Sequence, residues 1–186
     1  MSEQAQFFRA ASVEGFEFVT AHSVADLRSF DRALAVSRAE AEGIVVSFDL
    51  VTRDESNVTL RPASAPAKIG GSSLIVTDAI RAEVADVLAG AVTFLPMNVP
   101  STGQTLWFVH TDHVVGDMDR VNSDVVSVLN NRVVALNKLV LSGADSPYPA
   151  VIKVNECKSF YCFARDVVER IRSIDGFAGT QFIPLF

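Results

Sequence analysis

One pattern of apolar residues occurs twice along this chain and limits the possible folds more than any other feature. In each copy a short apolar strand leads into a helix with one apolar face, a glycine follows, and a Phe-x-Pro strand closes the unit. Counted from Thr77 and from Ala164, apolar helix positions fall at the same offsets of three, seven and ten residues. The repeat predicts two related strand–helix–strand units over residues 74–97 and 161–185, with apolar helix residues Ile80, Val84, Val87 and Leu88 in the first and Val167, Ile171 and Ile174 in the second.

Punctuating residues support the same boundaries. Thr77 is a predicted N-cap for the first helix, with Asp78 at the positive end of the helix dipole. Gly90 and Gly176 are predicted to end the two helices. Pro96 confines the first closing strand to the edge or the end of a sheet, because proline cannot donate a ladder hydrogen bond.

The segments between the two copies indicate antiparallel sheet. Strands are predicted at residues 106–110, 125–129, 132–141 and 150–154, and Asn130-Asn131 suits the positive-φ turn of a hairpin. Strands outnumber helices and hairpins outnumber crossovers. The predicted class is therefore α+β, a mostly antiparallel sheet with two related strand–helix–strand units.

The first third of the chain carries weaker signals. A strand is predicted at 13–20, and a helix capped by Ser23 at 24–36 with Leu27, Phe30 and Leu34 on one face. A second strand is predicted at 44–48, and prolines and glycines make 61–71 a loop or boundary. We therefore predict an N-terminal lobe over 1–66 and a second domain over 67–186, which could pack as one unit.

Composition excludes several classes of protein. The charged fraction is 20% and the net charge is −6, which argues against general nucleic-acid binding and is compatible with a basic protein partner. No secretory signal or membrane-spanning run is visible, so a cytoplasmic location is expected. Cys157 and Cys162 are expected to be buried free thiols on opposite faces of an extended segment.

One segment has the residue types of a metal site. His110-Thr111-Asp112-His113 with Gly116 follows a predicted strand and looks like the H-x-H-x-D-H-x-x-G signature of metallo-β-lactamase-type hydrolases. Phe108 replaces the first histidine of that signature, and no histidine follows His113. A divergent metal-dependent hydrolase using His110, Asp112 and His113 is the alternative function.

The segment after that strand is also acidic, with Asp112, Asp117, Asp119 and Asp124 close together in sequence. Hard oxygen ligands would suit magnesium or calcium, but the EF-hand spacing is absent. Short acidic loops are usually solvated turns or caps. The other interpretation is a contact patch for a basic partner, steered by charge.

Residues 74–186 resemble the Imm-eleven family of bacterial immunity proteins, encoded beside polymorphic and contact-delivered toxins. The likeness lies in three ordered segments: 74–78 leading to 94–96; 106–110 followed by 114–119 and Ser123; and 138–141, 152–154 and the final helix with 182–185. Met118 replaces a leucine of the family pattern. Ala164 and Arg165 replace a serine and an acidic residue at the start of the last helix.

The resemblance implies a cytosolic, non-enzymatic inhibitor without a cofactor, which binds a cognate toxin and covers its active site or locks it inactive. Candidate toxin contacts are Asp112, Asp117, Asp119 and Asp124. For Asp119 and Ser123 the favoured interpretation is structural, with side-chain hydrogen bonds fixing the turn after the strand, and direct toxin contact is the alternative. The N-terminal third matches less and is a candidate for a toxin-specific part. The only tryptophan, Trp107, is expected in the core, or as an interface anchor if exposed.

Overall fold

The computed structural model describes residues 6–68, 71–88, 90–116, 118–128, 132–142 and 148–186. Within these ranges the fold is α+β with mostly antiparallel strands, as the sequence predicts. The helices are α1 Val24–Ala35, α2 Arg38–Ala41, α3 Asp78–Leu88 and α4 Arg165–Arg172. The strands are β1 Phe7–Ser12, β2 Phe18–Ala21, β3 Phe48–Val51, β4 Ala67–Lys68, β5 Ile75–Thr77, β6 Thr93–Val99, β7 Gln104–His110, β8 Val114–Val115, β9 Asp124–Val128, β10 Arg132–Lys138, β11 Val151–Val154, β12 Cys157–Ala164 and β13 Thr180–Pro184.

The strands form several small sheets instead of one large sheet. A five-stranded sheet has the order β13-β1-β12-β11-β8, and two three-stranded sheets have the orders β5-β7-β6 and β3-β2-β4. Strands β9 and β10 form a separate two-stranded ribbon. Only the short pairs β11–β8 and β2–β4 are parallel among these ladders.

Two strand–helix–strand segments share one arrangement around a central strand. β5 and β6, joined through α3, both pair antiparallel with β7, and β12 and β13, joined through α4, both pair antiparallel with β1. In the first, Trp107 lies opposite Val76 and Pro96. In the second, Phe8 lies opposite Phe163 and Pro184. The position of the closing proline relative to the central strand is thus the same in both.

The helices of these segments bury the predicted stripes. Ile80, Val84 and Leu88 of α3 are buried, and Val87 packs at the margin of the core. Val167 and Ile171 of α4 are buried, whereas Ile174 lies in the turn just after the helix. The predicted glycine stop is confirmed for Gly90, which follows the end of α3 by two residues with a φ of 77°. The stop predicted at Gly176 is wrong, because α4 ends at Arg172 with Ser173 as its C-cap, and Gly176, with a φ of 75°, lies in the turn beyond it. Pro96 and Pro184 both lie on edge strands, which fits the missing donor.

The start of α3 is fixed differently from the prediction. The Thr77 hydroxyl donates to the Ser64 carbonyl at 3.1 Å, and the Thr77 amide donates to the same carbonyl at 2.9 Å. Thr77 therefore attaches the end of β5 to a neighbouring loop. At α4, Ala164 is the N-cap without a side-chain hydrogen bond.

The first third of the chain shows one confirmed element and several displaced ones. Ser23 caps α1 by accepting from the Asp26 amide at 3.1 Å, and Phe30 and Leu34 are buried, but Leu27 is 37% exposed. The strand predicted at 13–20 is present only as β2, and that predicted at 44–48 is shifted to β3. The predicted turn at Asn130-Asn131 lies outside the described residues.

The core does not divide at residue 66. β1 lies between β12 and β13, and one apolar cluster joins Val19, Phe30 and Phe48 to Phe108 and Phe163. The ranges 1–66 and 67–186 therefore share sheet and core in the described part of the chain. A second apolar cluster packs the ribbon on the five-stranded sheet. It includes Val133 and Leu136 of β10 and Phe7, Ile152 and Phe160 of the sheet.

Both cysteines are buried thiols, as expected, but they do not lie on opposite faces. Cys157 and Cys162 belong to the same apolar cluster. The pairing of β11 with β12 moves from Lys153–Tyr161 to Val154–Cys157, so the alternation of β12 is interrupted between the two thiols. Burial raises the pKa of the Cys162 thiol, which disfavours its reactive thiolate form.

Candidate functional site

The acidic residues proposed as partner contacts occupy the end of β7 and the segment leading into β9. Asp112, Asp119 and Asp124 are described, whereas Asp117 lies outside the described residues. The three described carboxylates differ in how many internal hydrogen bonds they already accept. That difference decides which of them has capacity left for a partner.

Asp112 joins two elements. Its Oδ1 accepts from the Arg38 backbone amide at 2.7 Å and lies 3.2 Å from His110 Nε2, while about half of the side chain stays exposed. It therefore connects the first turn of α2 to the end of β7. A partner that bound this oxygen would compete with both internal contacts.

Asp119 and Ser123 have the structural role favoured from the sequence. Asp119 Oδ1 accepts from the amides of Val121 and Asn122 at 2.9 and 3.1 Å, and the hydroxyl of Ser123 both donates to the carbonyl and accepts from the amide of Val140. Hydrogen bonds from Asn122 and Val121 lower the pKa of Asp119. The pair fixes the turn that delivers the chain to the ribbon.

Asp124 pairs across the ribbon with Lys138 of β10. It begins β9, it is exposed, and its Oδ2 accepts from the Asn137 side chain at 3.1 Å. Each carboxylate oxygen can accept more than one hydrogen bond, so capacity remains for a basic group. Among the described candidates, Asp124 is best suited to contact a partner.

The histidine of the metal-like segment lies in a buried polar network. His110 is 0% exposed, and its Nδ1 lies 3.0 Å from the Tyr161 hydroxyl while Nε2 faces Asp112. Burial lowers the pKa of His110 and the nearby Lys153 charge lowers it further, against the opposing effect of Asp112. A neutral ring that donates from Nε2 to Asp112 must accept at Nδ1, so Tyr161 is the donor to Nδ1.

Lys153 completes this network from β11. Its side chain is 1% exposed, and Nζ donates to the Leu34 carbonyl at 3.1 Å, near the C-terminus of α1. The Tyr161 hydroxyl lies 3.2 Å from the same carbonyl. Burial lowers the pKa of Lys153 to about 8, partly opposed by the charge of Asp112. The network ties α1, α2, β7, β11 and β12 together through polar atoms that would otherwise be unpaired.

Sequence reasoning did not single out Lys153 or Tyr161. The available signal was one lysine inside the apolar run at 150–154, since a charge within a buried strand needs a partner. Its partners come from α1 and from the loop after β7, more than a hundred and about forty residues away, so periodicity could not identify them.

The geometry does not favour the metal site predicted as an alternative. Both ring nitrogens of His110 already face protein partners, and His113 is exposed. Among the described residues, no group of three or more His, Cys, Asp or Glu side chains is arranged to hold a metal ion. His110, Asp112 and His113 are near neighbours along the chain without forming a shared ligand set.

Trp107 lies on β7 beside the first turn of α3 and is only partly buried. Its Nε1 donates to Asp78 Oδ1 at 2.7 Å, and the Arg81 guanidinium stacks on its ring at 3.9 Å. The expectation of a core tryptophan is therefore only partly met. The stack fixes the ring at the start of α3 and leaves one margin exposed.

Known proteins give no further guide to the function of this site. No protein-family model matches the chain, and no curated protein matches it either. Within the described ranges, none of the helices combines the length and the apolar character needed to cross a bilayer.

Proposed function

We propose that this chain is an immunity protein that binds a cognate bacterial toxin in the cytosol and neutralises it, by covering the toxin's active site or by locking it inactive. The observation that carries the proposal is the ordered set of Imm-eleven-like segments between residues 74 and 186. These segments coincide with β5-α3-β6, with β7 and the Asp119–Ser123 turn, and with the end of β10, β11, α4 and β13. They form the framework, and a partner would meet the surface beside it.

We further propose that the two strand–helix–strand segments are related by duplication. Their shared helix offsets are supported by a shared register, in which Trp107 and Phe8 occupy equivalent positions in the two central strands. An arginine of the adjoining helix lies over each ring, Arg81 over Trp107 and Arg172 over Phe8. The correspondence concerns the scaffold and does not itself define the partner.

Electrostatics supports a basic toxin. The chain has a net charge of −6, and Asp124 presents an exposed carboxylate with capacity for a charged hydrogen bond. Opposite charges on two proteins attract them as they approach and so raise the association rate constant. Salt screens this attraction, so the effect becomes smaller as the ionic strength rises. Asp124 is therefore expected to act mainly on the association rate.

The direct test is growth rescue. Cells expressing the toxin gene adjacent to this gene should grow when the chain is co-expressed, and the two proteins should co-elute in size-exclusion chromatography. Asp124→Lys should slow association severalfold at low salt and little at high salt. Glu83→Lys, on the exposed side of α3, is the matched control with the same charge change. Absence of both rescue and a complex would contradict the proposed function.

A further inference from the structure

We propose that β9 is the docking edge of this protein, pairing through its free backbone groups with an extended basic strand of the toxin. This inference rests on the proposed function and names the surface through which it acts. It starts from the two-stranded ribbon of β9 and β10, which stands apart from the other sheets.

The pairing of β9 runs through the strand without a gap. In the described residues β9 pairs with β10 alone, and its five residues pair in unbroken succession from Asp124 to Val128. The irregularities lie in β10, where residues 134 and 137 are left out of the pairing. In a strand without a bulge of its own, every second residue directs its backbone N–H and C=O to the outer edge, where another strand can pair with them.

Most other edges among the described strands are protected in the ways that natural proteins use, and the four-residue edge strand β3 lies beside β6, next to the bridge between Ser47 and Asn98. β6 and β13 contain Pro96 and Pro184, and the edge strands β4, β5 and β8 have only two or three residues. β9 has the sequence Asp-Val-Val-Ser-Val, without proline, lysine or arginine. An open edge rich in β-branched residues recruits other strands, so β9 is the edge that is prepared for pairing.

Exposed valines surround this edge. Val126 on β9 is 40% exposed, Val134 on β10 is 41% exposed, and Val121, just before the ribbon, is 91% exposed. Val133 and Leu136 of β10 are instead buried against the five-stranded sheet. The ribbon is thus anchored to the body through one face while its apolar side chains remain available to cover an added strand.

The negative charge of this chain favours a basic toxin strand over a second copy of the chain as the partner of β9. Two copies of this chain brought edge to edge would each carry a net charge of −6, and each would place Asp124 at the start of the paired strand. Like charge opposes that arrangement, whereas a toxin strand bearing lysine or arginine near Asp124 gains a charged contact. Main-chain hydrogen bonds then supply affinity, and the valines and Asp124 supply selectivity.

Proline at two adjacent positions tests the edge. Backbone amides alternate in direction along a strand, so of Val126→Pro and Ser127→Pro, one removes an amide facing β10 and the other an amide facing outward. The outward variant should keep the wild-type melting temperature and lose at least about tenfold in affinity for the toxin domain encoded by the adjacent gene. Ser127→Thr retains the backbone amide and changes a side chain for which no contact with the toxin is proposed, so it should bind within about twofold of wild type.

Hydrogen exchange decides the case if both proline variants unfold. Outward amides of β9 should exchange rapidly in the free protein and become protected in the wild-type complex. Unchanged β9 exchange on complex formation, or a folded outward-proline variant with wild-type affinity, would overturn the docking edge while leaving the proposed function intact. A toxin-free dimer in light scattering that the outward proline dissociates would overturn the choice of occupant. Failure of the wild type to bind the toxin would instead contradict the proposed function.

Discussion

At the scale of single residues, the buried lysine is the least expected side chain in this core. Lys153 is 1% exposed and has a backbone carbonyl, not a carboxylate, as its hydrogen-bond acceptor. The charge of Asp112, which also accepts from His110, partly opposes the lowering of the Lys153 pKa. Burying an ammonium group with so little compensation costs free energy, and the lowered pKa of Lys153 expresses that cost.

Removing this charge should stabilise the protein at neutral pH. Lys153→Met keeps most of the side-chain volume and removes the buried ammonium together with its hydrogen bond to the Leu34 carbonyl. Replacing a buried charge with an apolar side chain of similar size is often neutral or stabilising, so we expect a gain of about 1 kcal/mol in the free energy of unfolding. Urea denaturation at pH 7 measures it, and a loss of stability would show that the ammonium contact is net favourable.

The advantage of Lys153→Met should shrink as pH rises. The pKa of Lys153 is about 8 in the folded chain, below its ordinary value of 10.5. Between these values the unfolded chain holds a proton that the folded chain has released, so wild-type stability rises with pH through this window. Comparing the two proteins at each pH cancels the titration of Tyr161 and Cys162. A constant difference from pH 7 to 10 would contradict the assigned pKa.

Residue roles were predictable where they are local. The Asp119–Ser123 turn follows from two short polar side chains four residues apart, which can bond nearby backbone without help from distant segments. The roles of Lys153 and Tyr161 depend on Leu34 and His110, which the fold brings near from distant parts of the sequence. The ranking of the three described acids likewise required their internal partners to be known.

At the scale of elements, the loop between α4 and β13 is held more tightly than its sequence suggests. Ser64 donates to the Gly176 carbonyl and accepts from the Ala178 amide, while Thr180 donates to the Ala65 carbonyl. Gly179 has a φ of 99°, and a Cβ added there would collide with Ala63 and the Ala65 carbonyl. This glycine permits two segments to approach closely.

Two glycine substitutions can separate the cost of a positive φ from the cost of a steric collision between segments. Gly90→Ala places a Cβ in open space at a φ of 77° and should cost about 1 kcal/mol of stability. Gly179→Ala adds a steric collision to the same conformational cost and should destabilise by about 2 to 4 kcal/mol. Denaturant unfolding of both variants provides the comparison. Equal losses would mean that the 63–65 segment moves away at little cost.

Element prediction worked where periodicity was strong and failed where packing interrupts it. The stripes of α3 and α4 and the cap of α1 follow directly from spacing and from Ser23. β1 was missed because Phe7 and Phe8 are both buried, one on each face of the sheet, so the strand lacks a simple alternation. The bulge that brings Cys157 and Cys162 into one cluster leaves no sequence signal.

At the scale of the whole molecule, the first strand of the chain lies at the centre of the last strand–helix–strand unit. β1 separates β12 from β13, as β7 separates β5 from β6. The two units differ in where the central strand lies along the chain. β7 follows β6 directly, through the loop at 100–103, whereas β1 is the first described strand and lies far before β12 in the sequence. Leu185 donates its amide to the Phe7 carbonyl, so β13 and β1 already adjoin as the arms of a hairpin would.

This arrangement predicts that a circular permutant will fold. The permuted chain runs from 15 to 186, continues through a linker of about two residues and ends with 6–14. Phe186, the linker and Gln6 then form a hairpin loop of about four residues between β13 and β1. This is a common loop length and equals that of the 100–103 loop between β6 and β7. The new termini lie at the exposed residues Glu14 and Gly15. We expect its melting temperature to lie within about 10 °C of that of the natural chain, because local interactions change only at the joined and opened loops.

The matched control, residues 15–186 alone, lacks β1 and should remain unfolded by circular dichroism, since β12 and β13 then lose their shared partner. A folded control would show that β1 is dispensable, and an unfolded permutant would show that the two units are not equivalent in topology.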